Sequence, residues 1–151
     1  NNSKMDQIIG IGCDHAGFEL KEYLRENLIA TGRKVKDFGI FKQERADYPD
    51  IVHPLAHEVN TQQLEMAIII CGTGNGVAIT ANKYLNVRAA LCWNTEIAAY
   101  ARKHNDANII ALPARFLRRR RAWKIVRKFL STNFEGGRHA VRVEKIKNIL
   151  S

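Results

Sequence analysis

The chain has 151 residues, of which 46% are hydrophobic and 26% charged, with a formal net charge of +9. This length and composition are ordinary for one globular domain with one sizeable core, so we expect residues 1–151 to form a single domain. No apolar run approaches the roughly 20 residues that a transmembrane helix needs, and no hydrophobic N-terminal signal precedes the first predicted strand, which excludes a membrane-spanning protein and predicts a cytoplasmic one.

The cysteines and the charge narrow the functional classes further. Cys13, Cys71 and Cys92 are odd in number and lack C-x-x-C spacing, which argues against a disulfide framework or a structural zinc site. Residues 1–114 carry 12 Lys and Arg against 13 Asp and Glu, whereas residues 115–151 carry 12 against 2. Such a basic segment suits polyanion binding, the arginines of a phosphate pocket or a solvated helix face, and composition does not choose among these.

The first predicted strand, residues 7–13, ends at a polar turn that contains Asp14 and His15. Residues 18–30 have apolar side chains near helical spacing and predict a helix that Gly32 closes. Asp14 suits the N-cap of that helix. Because ligands of open parallel sheets bind beyond the carboxyl ends of strands, Asp14 and His15 are also candidates for a site at that edge.

A second strand is predicted over residues 34–38, and a helix follows at the sequence DYPD, where Pro49 suits the first helical turn. This places Tyr48 at the same edge of the sheet as Asp14 and His15, beyond the carboxyl ends of the strands. His53 and His57 are four residues apart on that helix and would suit a metal pair. No third ligand with suitable spacing follows, and an exposed helix face explains both, so we expect no metal site.

The most informative stretch is residues 66–83, MAIIICGTGNGVAITANK, which predicts a buried strand, a glycine loop and a helix. The loop contains Gly72, Gly74 and Gly76, and its N–H groups and the helix dipole together are disposed to hold an anion. Cys71 stands at the strand end beside the loop, where a lowered pKa would make its thiol a base or nucleophile. A small buried hydrophobe is the alternative interpretation of Cys71.

The fourth and fifth strands are predicted over residues 87–92 and 108–112, with a helix between them that ends at His104 and Asn105. This polar turn is a second candidate for chemistry. A helix C-terminus, with His104 complementing the dipole and Asn105 in a left-handed turn, explains the same residues. A helix-to-strand turn usually lies opposite the carboxyl ends, so His104 would serve a neighbouring subunit's site or need an unusual loop.

The basic segment predicts two further helices. The run Arg118–Arg121 opens the first, and residues 138–150 form the second after a Gly-Gly break. Arg138 and Arg142 are four residues apart near the start of the last helix, so their guanidinium groups share a face and suit the clamping of one phosphate.

Six motifs carry a family resemblance: GCDHAGFELK (12–21), DYPD (47–50), ICGTGNGVAITANK (70–83), RAALC (88–92), KHNDAN (103–108) and EGGRHAVRVEKI (135–146). From about residue 8 to 147 the sequence resembles the type B ribose-5-phosphate isomerases and, more broadly, the family they share with galactose-6-phosphate isomerase subunits. The resemblance implies a three-layer α/β/α sandwich with a five-stranded, Rossmann-like parallel sheet. It also implies a homodimer or dimer of dimers with active sites at the interface, which the C-terminal helix reaches.

The implied reaction interconverts D-ribose 5-phosphate and D-ribulose 5-phosphate, a step of the pentose phosphate pathway, without metal or cofactor. By resemblance, Cys71 is the base that takes the proton from C2 of the opened sugar, and His104 assists ring opening. In another branch of the family a glutamate is the base, and Val77 occupies its position here.

The resemblance also assigns substrate contacts. The glycine loop with Thr73 holds the enediolate oxygens, Asp14 and Tyr48 face the sugar hydroxyls, and Asn105 lies beside His104. The loop residues are Gly72, Thr73, Gly74, Asn75 and Gly76. The phosphate ligands are His15, Arg115, Arg138 and Arg142, the last two from the partner subunit. Trp93, Asn94 and Pro113 depart from the family's usual residues, and the four consecutive arginines form no family motif.

Two other functions compete with this one. An isomerase of a six-carbon sugar phosphate, such as allose 6-phosphate or galactose 6-phosphate, would use the same catalytic residues and differ in pocket size. A nucleic-acid-binding module would use the basic segment. Basic residues interspersed with Trp123 and Phe129 fit an amphipathic helix better, so we expect neither a nucleic-acid nor a membrane partner.

Overall fold

The computed structural model describes residues 4–148, so the last residues of the predicted C-terminal helix, Ile149 and Leu150, lie outside the described part. The strands are β1 (Ile8–Cys13), β2 (Lys34–Asp37), β3 (Met66–Cys71), β4 (Ala89–Leu91) and β5 (Ile109–Pro113). The α-helices are α1 (Phe18–Ala30), α2 (Tyr48–Asn60), α3 (Asn75–Ala81), α4 (Thr95–Lys103), α5 (Arg119–Ser131) and α6 (Arg138–Ile146). Within residues 4–148, every helix is too short or too polar to cross a bilayer.

The five strands form one parallel sheet in the order β2-β1-β3-β5-β4. Two separate apolar clusters cover its faces: α1, α4 and α5 pack on one, and α2 and α3 on the other. A parallel strand buried on both faces is apolar throughout, and residues 66–71 of β3 have that character. The predicted three-layer α/β/α sandwich is confirmed.

Strand alternation decides which layer each side chain of β3 joins. Ile68 and Ile70 point into the cluster with α1 and α5, whereas Ala67, Ile69 and Cys71 point toward α2 and α3. Cys71 is therefore presented to the side from which the first turn of α2 and the loop before α3 approach.

The strand order reverses between β1 and β3, because β2 lies on one side of β1 and β3 on the other. Such a switch point opens a crevice at the carboxyl ends of the two strands. Gly17 lets the turn after β1 approach closely, since a Cβ there would lie 2.7 Å from Ile70 Cγ2 and 2.9 Å from the Ile70 carbonyl oxygen. The polar turn after β1 is thus held directly against the end of β3.

Several predicted boundaries need correction. β4, at the sheet edge, covers three residues instead of 87–92. Helix α3 begins at Asn75, inside the predicted glycine loop. The left-handed residue after α4 is Asp106, with φ of 48°, and not Asn105. Asp106 is fixed in that turn because Arg102 and Arg88 donate to its carboxylate at 2.9 and 3.3 Å.

Lys21 has a structural role that its helical spacing does not reveal. Its side chain is 0% exposed, and its Nζ lies 2.7 Å from both Glu22 Oε2 and Asp37 Oδ2. Asp37 Oδ1 in turn accepts from the N–H of Gly39. This ion pair joins α1 to the end of β2, beside the crevice.

Candidate active site

The turn after β1 contributes two polar side chains to the crevice. Asp14 Oδ1 accepts from the N–H groups of Ala16 at 2.9 Å and Gly17 at 3.1 Å, so Asp14 caps the 3₁₀ helix His15–Gly17; the N-cap of α1 itself is Gly17, and not Asp14 as the sequence predicted. His15 is half-buried, and its Nδ1 accepts a long hydrogen bond, 3.5 Å, from the N–H of Ala46. That contact joins the turn to the segment before α2.

Cys71 ends β3, directly beside the crevice, and is 5% exposed. It is paired in register with Pro113 at the end of β5, and the next residue after it, Gly72, accepts a hydrogen bond from the N–H of Arg115 at 3.0 Å. A Cβ at Gly72 would lie 3.1 Å from Arg115 Cδ, Nε and Cζ, so the Arg115 side chain packs on the Gly72 backbone. Pro113 is therefore compatible with placing a guanidinium against Gly72, the residue that follows Cys71.

The other two cysteines have a different environment. Cys13 and Cys92 are both 0% exposed. Burial raises the pKa of each thiol to about 12, so both stay protonated at neutral pH. Cys13 also ends a strand, but its side chain joins the apolar cluster with α1 and α5, whereas Cys71 points to the other face of the sheet, toward α2 and the glycine loop.

The glycine loop is shaped by two positions that cannot carry a side chain. Gly74 has φ of 76°, and a Cβ there would lie 2.4 Å from Leu91 Cδ1. A Cβ at Gly76 would lie 2.5 Å from Tyr48 Cζ, so the Tyr48 ring packs directly on the loop. Thr73 and Asn75 are exposed on the loop, and Thr73 Oγ1 accepts from the N–H of Asn75 at 3.3 Å.

One group of predicted site residues is thus gathered at the carboxyl edge of the sheet. It combines a thiol, the backbone N–H groups of a tight loop, a carboxylate, a phenol, an imidazole and a guanidinium. The members are Asp14, His15, Tyr48, Cys71, Gly72, Thr73, Gly74, Asn75, Gly76 and Arg115. We refer to these ten residues as the carboxyl-edge group.

A second group forms where α4 ends and α6 begins. The His104 ring stacks on the ring of His139, with centroids 4.1 Å apart and 11° between the planes. Glu135 Oε1 lies 3.8 Å from the Nε2 atoms of both histidines, and the N–H of Glu135 donates to the Lys103 carbonyl at 3.1 Å. Sequence analysis missed Glu135 and His139 as neighbours of His104, although both lie within the motif EGGRHAVRVEKI.

The same region carries the two arginines of the predicted phosphate clamp. Arg138 and Arg142 lie on the first turns of α6 and are exposed, as is Asn105 in the turn after α4. Burial, and then the positive charges of His104 and Arg138, hold the pKa of His139 below its ordinary value. His104, Asn105, Glu135, Arg138, His139 and Arg142 form what we call the amino-edge group.

The two groups do not meet within one chain. Cys71 pairs with Pro113 at the carboxyl end of β5, whereas His104 precedes the amino end of β5, at Ile109, by five residues. The four residue steps along β5 from Ile109 to Pro113 already span about 13 Å. His104 therefore lies at the opposite edge of the sheet from Cys71, as a helix-to-strand turn predicts.

The arrangement of histidines disfavours a metal centre. Within residues 4–148, one trio of potential ligands has its atoms close together: His104, Glu135 and His139. Stacked, nearly parallel rings direct their lone pairs along parallel lines, whereas a shared ion requires them to converge, and Arg138 adds positive charge. His53 uses its Nδ1 in a 2.6 Å hydrogen bond with Tyr84 Oη, so it is not paired with His57.

Known proteins resemble this chain over almost its full length. A family model described as Ribose/Galactose Isomerase matches residues 9–146. Ribose-5-phosphate isomerase B of Escherichia coli (strain K12) is 40% identical over 141 residues, which cover 93% of this chain and 95% of that protein.

Solved structures agree with the sequence match. A ribose 5-phosphate isomerase from Thermotoga maritima superposes with a TM-score of 0.92 at 43% identity, covering 95% of this chain and 99% of that one. Ribose-5-phosphate isomerase B from Mycoplasma genitalium, solved with bound ribulose-5-phosphate, gives a TM-score of 0.91 at 40% identity, covering 95% and 96%.

Proposed function

The chain belongs to the ribose/galactose isomerase family and catalyses the isomerisation of ribose 5-phosphate, and we propose that it does so through an enediolate with Cys71 as the base. The observation that carries this proposal is the position of Cys71, at a strand end between the glycine loop and Arg115. Sequence similarity alone does not assign that role to the thiol.

Aldose–ketose isomerisation requires removal of a weakly acidic proton from the carbon next to a carbonyl. The reaction needs a positioned base and donors aimed at the oxygen on which negative charge develops. In our proposal the Cys71 thiolate takes the proton from C2 of the opened ribose 5-phosphate and returns it to C1, while the hydroxyl proton moves from O2 to O1 of the enediolate. Val77, at the α3 position where some relatives would need a carboxylate, is apolar and 0% exposed, which supports Cys71 as the base.

The glycine loop supplies the complementary stabilisation. Residues 72–76 follow directly on the end of β3, and in our proposal their backbone N–H groups face the substrate, with Thr73 adding an exposed hydroxyl. These donors are fixed before substrate binds, because Gly74 and Gly76 pack against Leu91 and Tyr48 without room for adjustment. We propose that they hold the enediolate oxygens while Asp14 and Tyr48 contact the sugar hydroxyls.

His104 would open the furanose ring by transferring a proton to or from the ring oxygen and the C1 hydroxyl, with Asn105 beside it. Arg138 and Arg142 of the amino-edge group, with His15 and Arg115 of the carboxyl-edge group, would bind the phosphate. Remote binding of a dianion positions the sugar without these side chains taking part in proton transfer. No cofactor or metal enters this scheme.

Because the two groups lie at opposite sheet edges, we propose a homodimer, alone or as a dimer of dimers, whose sites combine the carboxyl-edge group of one subunit with the amino-edge group of the other. Uncovered apolar side chains support such an interface. Those on α6 or beyond the carboxyl ends of the strands include Phe41, Trp93, Phe116, Val141 and Ile146. A cytoplasmic location is proposed from the three free cysteines, which suit a reducing compartment.

The test is a substrate comparison on the purified enzyme. Ribulose 5-phosphate formation is followed by the absorbance of its keto group, and kcat/KM is compared for ribose 5-phosphate, allose 6-phosphate and galactose 6-phosphate. We expect ribose 5-phosphate to be preferred and Cys71→Ser to lose about 10²- to 10⁴-fold in kcat, the usual contribution of a positioned base. Higher kcat/KM for a six-carbon sugar, or near-normal turnover by Cys71→Ser, would contradict the proposal.

A further inference from the structure

The surface of α5 carries a concentration of positive charge that the proposed reaction does not use. No acidic residue occurs between Asp106 and Glu135, and α5 with its N-cap contributes seven cations. All seven are exposed: Arg118, Arg119, Arg120, Arg121, Lys124, Arg127 and Lys128. Four of them lie at the helix N-terminus, where the macrodipole opposes cations, so helix stability does not explain them.

These cations have no anionic partners in the described chain. Among residues 4–148, none of the seven forms an ion pair, whereas Lys21, Lys36, Arg88 and Arg102 elsewhere all do. Two of the seven instead lie over aromatic rings: Arg119 is 5.2 Å from the centre of the Tyr23 ring, and Arg127 is 5.9 Å from that of Trp123.

The cations are also ordered along the helix. Arg120, Arg121, Lys124, Arg127 and Lys128 follow spacings of three and four residues around Lys124, which places all five on one stripe. From Arg120 to Lys128 that stripe rises about 12 Å. The opposite side of α5 is buried in the core through Ala122, Ile125, Val126, Phe129 and Leu130, so the stripe faces away from the sheet.

A shallow groove of about 720 Å³ runs beside the stripe. Lys124, Arg127 and Lys128 line it from α5, and Arg33 lines it from the turn after α1. Trp123, half-buried at the border between the stripe and the core, also faces the groove. No acidic side chain lines it within the described residues, so its charge is entirely positive, while apolar and hydroxyl side chains such as Met5, Leu28 and Thr95 complete the lining.

We propose that this groove and the α5 stripe bind single-stranded nucleic acid, with the five cations contacting phosphates and a base displacing Arg127 from the Trp123 ring and stacking there. Rows of cations beside an aromatic platform are the recurring features of single-strand binding without sequence preference. This inference revises the expectation that the chain has no nucleic-acid partner. It is independent of the isomerase mechanism, because none of these residues belongs to the carboxyl-edge or amino-edge group.

Other occupants fit the face less well. A membrane-surface helix inserts apolar side chains, and those of α5 are already buried in the core. A second copy of α5 would bring like charges together, and the uncovered apolar residues described above lie on other elements. Single-stranded nucleic acid matches both the charge and the aromatic ring.

The direct test measures binding of a fluorescein-labelled 12-mer of polyuridine to the full chain by anisotropy at several salt concentrations. If all five cations contact phosphates, the slope of log K against log salt is about −3.5. Lys124→Gln with Lys128→Gln removes two contacts, which at about 0.1 M salt predicts roughly 25-fold weaker binding and a slope nearer −2. Isomerase kcat is expected to be unchanged in that variant.

The matched control is Lys34→Gln with Lys83→Gln, which removes the same charge from exposed positions on other elements; it should weaken binding less than threefold. Stacking is measured separately in a Trp93→Phe background, where Trp123 is the remaining tryptophan, and RNA should quench its fluorescence. Absence of saturable binding would overturn the proposal, and so would an equal loss of affinity in the control variant. It would also be overturned if RNA bound without quenching Trp123 and heparin and anionic vesicles bound as tightly as the RNA.

Discussion

A test of subunit complementation addresses the division of the site between two chains. Cys71→Ser disables the carboxyl-edge group, and His104→Asn disables the amino-edge group. Each homodimer should lose about 10²- to 10⁴-fold in kcat, because each lacks one acid–base residue. If the site joins groups from different subunits, a hybrid of the two variants contains one site with Cys71 from one chain and His104 from the other.

The expected recovery follows from the geometry. Along β5 the two groups are separated by about 13 Å plus a five-residue turn, far beyond the roughly 3 Å reach of proton transfer to one sugar, so a chain does not complete its own site. Equal amounts of the two variants, exchanged randomly, give half hybrids, and one of the two sites in each hybrid is intact. The mixture should therefore regain about a quarter of wild-type activity.

The assay is ribose 5-phosphate turnover after co-refolding of the two variants. The control pair combines Cys71→Ser with Asp14→Asn, both in the carboxyl-edge group, so every hybrid site keeps one defect and activity should not return. If the Cys71 and His104 pair regains no activity although hybrids form, or if the control pair recovers equally, then the inference of a shared site is wrong.

Three further outcomes are expected from the packing and charges. Gly74→Ala should lower the free energy of unfolding in urea by about 2–4 kcal/mol, because the backbone there has φ of 76° and the new Cβ would lie 2.4 Å from Leu91 Cδ1. Gly136→Ala, at φ of 71° with open space around it, should cost about 1–2 kcal/mol. Equal costs would show that the contact with Leu91 does not matter. Lys21→Met should cost about 2–3 kcal/mol in the same assay, since it removes the buried cation 2.7 Å from Glu22 and Asp37 and leaves them only the partly exposed Arg25, and a loss below about 0.5 kcal/mol would contradict this. The folded state holds the pKa of His139 below its ordinary value of about 6.5, so the unfolded chain binds this proton at a higher pH than the folded chain does. The free energy of unfolding should therefore fall as the pH drops below about 6.5. His139→Gln should reduce the pH dependence of the urea midpoint, and an unchanged dependence would exclude His139 as its source.

The sequence correctly predicted the elements that are determined by interactions between residues close together in the chain. The bounds of α1 match the predicted helix, Phe18–Ala30, because its apolar periodicity, the Asp14 cap upstream and Gly32 at φ of 91° all agree. Asn94 caps α4 through a 2.8 Å hydrogen bond from the N–H of Ile97, a local contact of the kind that Asn favours at a helix start. The placement of Cys71 beside the glycine loop followed from the order of strand, glycines and helix.

Contacts between distant segments were not predictable in this way. His139 stacks on His104 from 35 residues away, and this contact depends on how α6 packs against the end of α4. Lys21 occupies a charged position of an amphipathic helix, and only the approach of Asp37 from β2 explains its burial. The left-handed turn fell on Asp106 because two arginines from different elements hold its carboxylate.

The central claim is that the Cys71 thiolate moves the proton between sugar carbons. Ribulose 5-phosphate is acyclic, because its O5 carries the phosphate, so exchange of its C1 hydrogen with solvent deuterium needs the base and the loop but no ring opening. Proton NMR of ribulose 5-phosphate in D₂O should therefore show rapid C1 exchange with the wild-type enzyme and with His104→Asn, and exchange reduced by about 10²-fold or more with Cys71→Ser. Exchange by Cys71→Ser within tenfold of the wild-type rate would contradict the assignment of Cys71 as the base.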